Sequence, residues 1–171
     1  MASEITNFIN IILIGMAGAG KSTVGPLLAE KLGYSFTDTD DIISKRYNAP
    51  LQYLLDLHGI EGFRAIEEKT ILKLNPYHTV VATGGSAVYS QPSMLHLKNI
   101  GHVIWLDVPL HELEQRVHNQ NSRGLINPKG GSFAELYNQR QPLYQQYATS
   151  RIDCSSKSPQ EIVQHIMHKL T

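Results

Sequence analysis

The segment Gly15-Met-Ala-Gly-Ala-Gly20-Lys21-Ser22 constrains this chain more than any other. It satisfies G-x-x-x-x-G-K-[S/T], and its flanks are those the pattern needs. The apolar run Ile11-Ile12-Leu13-Ile14 precedes it, and Val24, Leu27, Leu28 and Leu32 follow on one helical face. Glycines let the backbone fold around phosphate with its N–H groups pointing inward, and the next helix adds its positive end. Lys21 is placed to neutralise β- and γ-phosphate charge, and the Ser22 hydroxyl to ligate Mg²⁺. Pro26 falls inside the helix, where it removes an i to i−4 bond and predicts a kink or distorted turn near Ser22.

Short apolar runs alternate with helical patterns along the rest of the chain. Tyr34-Ser-Phe36, Thr79-Val-Val-Ala82, His102-Val-Ile-Trp-Leu106 and Arg151-Ile-Asp153 read as further strands buried on both faces. Phe63, Ile66, Thr70, Ile71 and Leu74 share one helical face, and Leu110, Leu113 and Val117 another. Ser132-Phe-Ala-Glu135 and Ser158-Pro-Gln-Glu161 are capping boxes that start two helices. Such alternation implies a doubly wound α/β fold, with ligands at the carboxyl ends of a parallel sheet. Residues 118–131 are polar, carry Arg123 and end in Pro128-Lys-Gly-Gly131, which suits either a surface loop or a mobile lid.

Composition narrows the partners. At 171 residues, 42% of them hydrophobic, the chain is sized for one domain with its own core. Fifteen basic residues balance fifteen acidic ones, which argues against nucleic acid or an anionic membrane. The single cysteine, Cys154, excludes disulfide frameworks and Cys-rich zinc sites. The start Met1-Ala-Ser-Glu4 lacks the positive region of a signal peptide, and no run approaches the roughly 18 apolar residues of a membrane span. A cytoplasmic monomer with small-molecule partners is the expectation.

A phosphate loop serves GTPases, ATPases and small-molecule kinases alike. The guanine reader Asn-Lys-x-Asp is missing. The cluster Phe36-Thr-Asp38-Thr-Asp40-Asp41 follows the second strand, where alternate carboxylates face the phosphate crevice. One carboxylate there suits water on Mg²⁺, and the other a substrate hydroxyl and its proton. An acidic turn of this kind also reads as a helix N-cap.

Taken in order, the phosphate loop, Asp38-Thr-Asp40, Phe63-Arg64, Thr83-Gly84-Gly85, Arg123 and Arg140-x-Pro142-Leu-Tyr144 closely resemble the shikimate kinase family. The resemblance runs from about residue 10 to 170. It implies a three-layer αβα P-loop fold of the nucleoside monophosphate kinase type, with a five-stranded parallel sheet. It also implies substrate-binding helices over about 40–74 and a mobile lid over about 117–131 of a single domain, 1–171. The implied reaction moves the γ-phosphate of ATP, with Mg²⁺, to the 3-hydroxyl of shikimate. By position, Gly18, Ala19, Gly20, Lys21, Ser22, Thr23, Arg116 and Lys157 would hold ATP. Asp38 would hold Mg²⁺ through water beside Ser22, and Asp40 would engage the substrate hydroxyls and act as base. Arg64 and Arg140 would grip the carboxylate, Gly84 and Gly85 would admit the substrate, and Arg123 would close over the phosphates.

Several positions depart from the family pattern. Ser86 stands for a third glycine, Gly124 for the proline after the lid arginine, Ile60 for a glutamate before Arg64, and Leu55 for an aromatic. Tyr47-Asn48 replaces Thr-Gly in a turn where Asn adopts a left-handed conformation. Two alternatives therefore stand beside the main reading: a kinase of another small hydroxy acid such as gluconate, and a non-catalytic nucleotide-binding paralogue.

Overall fold

A computed structural model of the protein describes residues 10–119 and 131–171. Its elements alternate as β1 (Asn10–Ile14), α1 (Lys21–Leu32), β2 (Ser35–Asp38), α2 (Thr39–Tyr47), α3 (Leu51–Leu72) and β3 (Thr79–Ala82). A 3₁₀ turn (Ala87–Tyr89) follows, then α4 (Gln91–Ile100), β4 (His102–Asp107), α5 (Leu110–Asn119), α6 (Phe133–Tyr147), β5 (Ser150–Asp153) and α7 (Pro159–Leu170). The strands form one parallel sheet in the order β2-β3-β1-β4-β5, helices cover it, and the fold is the expected three-layer αβα.

Burial follows strand position. Every residue of the central β1 and of β3 is buried, as is all of β4 but His102, while edge strands β2 and β5 keep exposed positions. Ile11 to Ile14 are at most 1% exposed, and each such aliphatic side chain contributes roughly 1.5–3 kcal/mol by leaving water. Asn10 spends its buried amide on backbone: Nδ2 donates to the carbonyls of Pro76 and Ile100, and Oδ1 accepts from the Thr79 N–H. One side chain thus satisfies polar groups where β1, β3 and β4 all begin.

Local sequence signals explain most boundaries. Ser132 and Ser158 form both expected capping boxes. Asn48 ends α2 in the left-handed region at φ 48°. Gly59, at φ 67°, breaks α3 into two helical pieces, the second of which carries Arg64. Strand β2 runs two residues past the expected Phe36, so that Asp38 is its last residue. The distortion expected at Pro26 does not break α1, which spans Lys21–Leu32 as one helix. Ahead of it Gly25 meets the Phe36 ring, where a Cβ would come within 2.3 Å of Cε2. Helix α4 had no counterpart in the reading of the sequence. Its polar residues mask a stripe of only Ser93, Met94 and Leu97, and the Ser90 hydroxyl caps it by accepting from the Ser93 N–H.

Candidate active site

The phosphate loop leaves the central strand and enters α1 at the carboxyl edge of the sheet. Gly18 and Gly20 sit at φ 82° and 97°, conformations costly for other residues. Ala19 is buried beneath the loop, while Ser22 and Thr23 face outward on the first helical turn. Lys21 folds back over its own loop, and Nζ donates to the carbonyls of Gly15 at 2.6 Å and Met16 at 2.8 Å. Burial lowers its pKa to about 8, against the opposing pull of Asp40 and Asp38. The ammonium is thereby held at the loop with weakened solvation.

Asp38 does two things. Its Oδ1 accepts from the Asp40 N–H at 2.9 Å and caps α2, while Oδ2 accepts from the Ser22 hydroxyl at 2.8 Å. The helix cap and a contact to the phosphate loop thus fall to the two oxygens of one carboxylate. Hydroxyl and carboxylate oxygens are the hard donors Mg²⁺ prefers, and Mg²⁺ commonly takes only one or two protein carboxylates beside phosphate oxygens. Ser22 and Asp38 fit that ion.

The segment after β3 closes the other side. Thr83 donates through both its N–H and its hydroxyl to the Leu13 carbonyl, the Gly84 N–H donates to the Thr39 hydroxyl, and the Tyr144 hydroxyl donates to the Gly85 carbonyl. The two glycines are required by neighbours. A Cβ on Gly84 would lie 2.6 Å from Oε2 of Glu67 and 3.0 Å from Oδ1 of Asp40, and one on Gly85 would lie 2.7 Å from Nη1 of Arg140. Asp40, Glu67 and Arg140 therefore converge on this pair. Arg140 is 3% exposed, so its guanidinium is a buried charge.

Glu67 was missed in the sequence reading. It lies 3% exposed on α3, and its Oε1 accepts from the Ser86 hydroxyl at 2.8 Å. Burial raises its pKa to about 7, and Ser86, Arg140 and Arg64 only partly offset this. A signal was available: Glu67 sits four residues after Phe63 and three before Thr70, on the same stripe. Tyr89 was missed as well. The Arg64 guanidinium lies over its ring, 4.2 Å from the centroid, and that of Arg140 lies 5.3 Å from it. Ile60 does leave Arg64 without the family's glutamate, but Glu61 approaches Nη1 at 3.8 Å and Tyr89 supplies the closer support.

On the far side of the phosphate loop, Nη1 of Arg116 donates to the Gly18 carbonyl at 3.0 Å. Glu112, also missed, links this arginine to the loop after β5. Its Oε2 accepts from Arg116 and its Oε1 from the Ser156 N–H at 2.9 Å. Lys157 stands on that loop with Nζ toward the Ser155 carbonyl. Arg123 and Gly124 lie outside the described residues, as does most of the expected lid.

Comparison with known proteins decides the family. The family model described as shikimate kinase matches residues 17–171. The chain belongs to the shikimate kinase family. It is 38% identical over 162 residues to the shikimate kinase of Persephonella marina, covering 94% of this chain and 98% of that one. The solved shikimate kinase of Acinetobacter baumannii, in complex with shikimate, superposes with a TM-score of 0.86 at 32% identity, covering 96% of this chain and 93% of that one. A gluconokinase from Sinorhizobium meliloti shares the fold alone, with a TM-score of 0.51 at 16% identity over 94% and 90%. Shikimate kinase membership thus joins the fold and the family to one set of converging charges.

Proposed function

We propose that this member of the shikimate kinase family transfers the γ-phosphate of ATP to the 3-hydroxyl of shikimate, giving shikimate 3-phosphate and ADP. The observation that carries this reading is the convergence of Asp40, Glu67 and Arg140 on Gly84-Gly85, beside the phosphate loop. A hydroxyl acceptor and a carboxylate anchor are what an acid and an arginine brought to one glycine pair recognise. Arg64 and Arg140 take the substrate carboxylate, which suits the planar guanidinium fork. Asp40 accepts a hydrogen bond from the attacking hydroxyl and then its proton.

The phosphate loop, with Gly18, Ala19, Gly20, Lys21, Ser22 and Thr23, holds the ATP phosphates, and Arg116 and Lys157 flank the nucleotide. Ser22 and the Asp38 carboxylate would hold Mg²⁺, which neutralises charge on the phosphate oxygens when bound. Arg123, on a lid that closes over the phosphates, completes the charge clamp, and closure excludes the water that would otherwise hydrolyse ATP. Positioning and electrostatics supply most of the acceleration. Among the described residues no helix is long and apolar enough to cross a membrane.

ADP release with ATP and Mg²⁺, measured with and without shikimate, tests the reading. Shikimate-dependent turnover abolished by Asp40→Asn supports it. ATP binding without such turnover would favour the hydroxy-acid or non-catalytic alternatives.

A further inference from the structure

The ring of Tyr89 lies under two guanidinium groups that the fold delivers from different elements, Arg64 from α3 and Arg140 from α6. Two arginines assigned to one carboxylate repel each other, and the nearby Glu67, which burial holds toward its neutral form, offsets this only in part until that anion arrives. A π face stabilises both cations without neutralising either, and it offers a flat surface on which a planar fork stacks. The Tyr89 hydroxyl adds long polar contacts, accepting from Nε of Arg140 at 3.4 Å and donating to Oε1 of Gln139 at 3.5 Å.

Arg64 has little else to orient it. Among the described residues its buried Nε finds no hydrogen-bond partner, and its ion-pair partner Glu61 is 92% exposed at 3.8 Å, a weak contact in water. The ring is held more firmly. The segment that carries it is tied to α3 at both ends, by the Ser86 hydroxyl to Glu67 at 2.8 Å and the Ser90 hydroxyl to Glu68 at 2.6 Å. Arg64, Glu67, Ser86, Tyr89 and Ser90 line one open cavity of about 290 Å³, so the stack stands at the edge of accessible space.

We propose that Tyr89 is a positioning residue that pre-orders Arg64 and Arg140 as one carboxylate clasp, and so sets this enzyme's affinity for its acid substrate. The inference rests on the shikimate kinase reading above. A clasp ordered before binding loses less side-chain entropy when substrate arrives, so the ring lowers KM for shikimate and leaves the phosphoryl-transfer step alone.

Steady-state kinetics of Tyr89→Phe, Tyr89→Leu and Tyr89→Met, with thermal melts of each, test this. Removing the ring should raise KM for shikimate about tenfold, the scale of a partly desolvated cation–π contact. Turnover number and KM for ATP should stay within about twofold, and Tyr89→Phe should keep the wild-type KM. An unchanged shikimate KM in Leu or Met would overturn the proposal. So would a Phe variant as impaired as Leu, or a parallel loss of turnover and ATP affinity in whichever ring-less variant folds. Wild-type protein without shikimate-dependent turnover would instead remove the functional reading beneath it.

Discussion

The Ser22 hydroxyl donates to Oδ2 of Asp38 across 2.8 Å, joining the phosphate loop to the carboxyl end of β2. Because Oδ1 of the same side chain caps α2, the helix cap and the proposed Mg²⁺ role meet in one carboxylate but remain separable.

Asp38→Asn keeps a good N-cap, so unfolding stability should change by less than about 0.5 kcal/mol. Losing the charge should weaken apparent Mg²⁺ affinity roughly 10–100-fold, as for other groups that act on a metal through its outer shell. Asp38→Ala should add about 1 kcal/mol of destabilisation from the lost cap. Urea unfolding paired with Mg²⁺ titrations of activity separates the two effects.

Lys21 is held by burial at a pKa of about 8. Its proton is needed to meet phosphate charge, so kcat/KM for ATP should fall as pH rises through about 8, reporting the free enzyme. Bound phosphates favour the charged ammonium, so kcat should hold to higher pH. A full pH profile of both constants checks this, and coincident breaks would contradict it.

Glu67 carries the opposite sign. Its folded pKa, about 7, lies above the ordinary 4.5, chiefly through burial, with Asp40 adding to the rise and Ser86, Arg140 and Arg64 opposing it. The folded state therefore binds the proton more tightly. The stability this contributes is complete below about 4.5 and is lost as pH rises through about 7. The change is on the order of 2–4 kcal/mol. Glu67→Gln should flatten that part of the stability curve, measured as melting temperature against pH.

Gly85→Ala places a Cβ 2.7 Å from Nη1 of Arg140, the far end of a long side chain. The arginine should shift rather than the fold collapse, with a stability loss below about 1 kcal/mol. Shikimate KM should rise about tenfold, a fraction of one charge-assisted hydrogen bond. Kinetics and melting of the same variant decide between misalignment and unfolding.

What the sequence determined by itself was local and contiguous. Residues 15–22 announce a phosphate loop because its glycines and lysine act through neighbouring backbone. The five strands, the capping boxes at Ser132 and Ser158 and the turn at Asn48 are likewise short-range signals, whereas Asp38, Asp40, Arg64 and Arg140 are marked only as an ordered set, by resemblance to the family. Tertiary structure alone decided what a charged or aromatic side chain meets. Glu67 shares the buried stripe of Phe63 and Thr70, but what its carboxylate meets is decided only when Ser86 and Gly84 close over it. Tyr89 looks unremarkable until two helices deliver guanidiniums to its ring. Glu112 gains its role only when the loop after β5 folds back to it. Such contacts join residues far apart in the chain, and burial, which sets their strength and their pKa, is a property of the assembled layers.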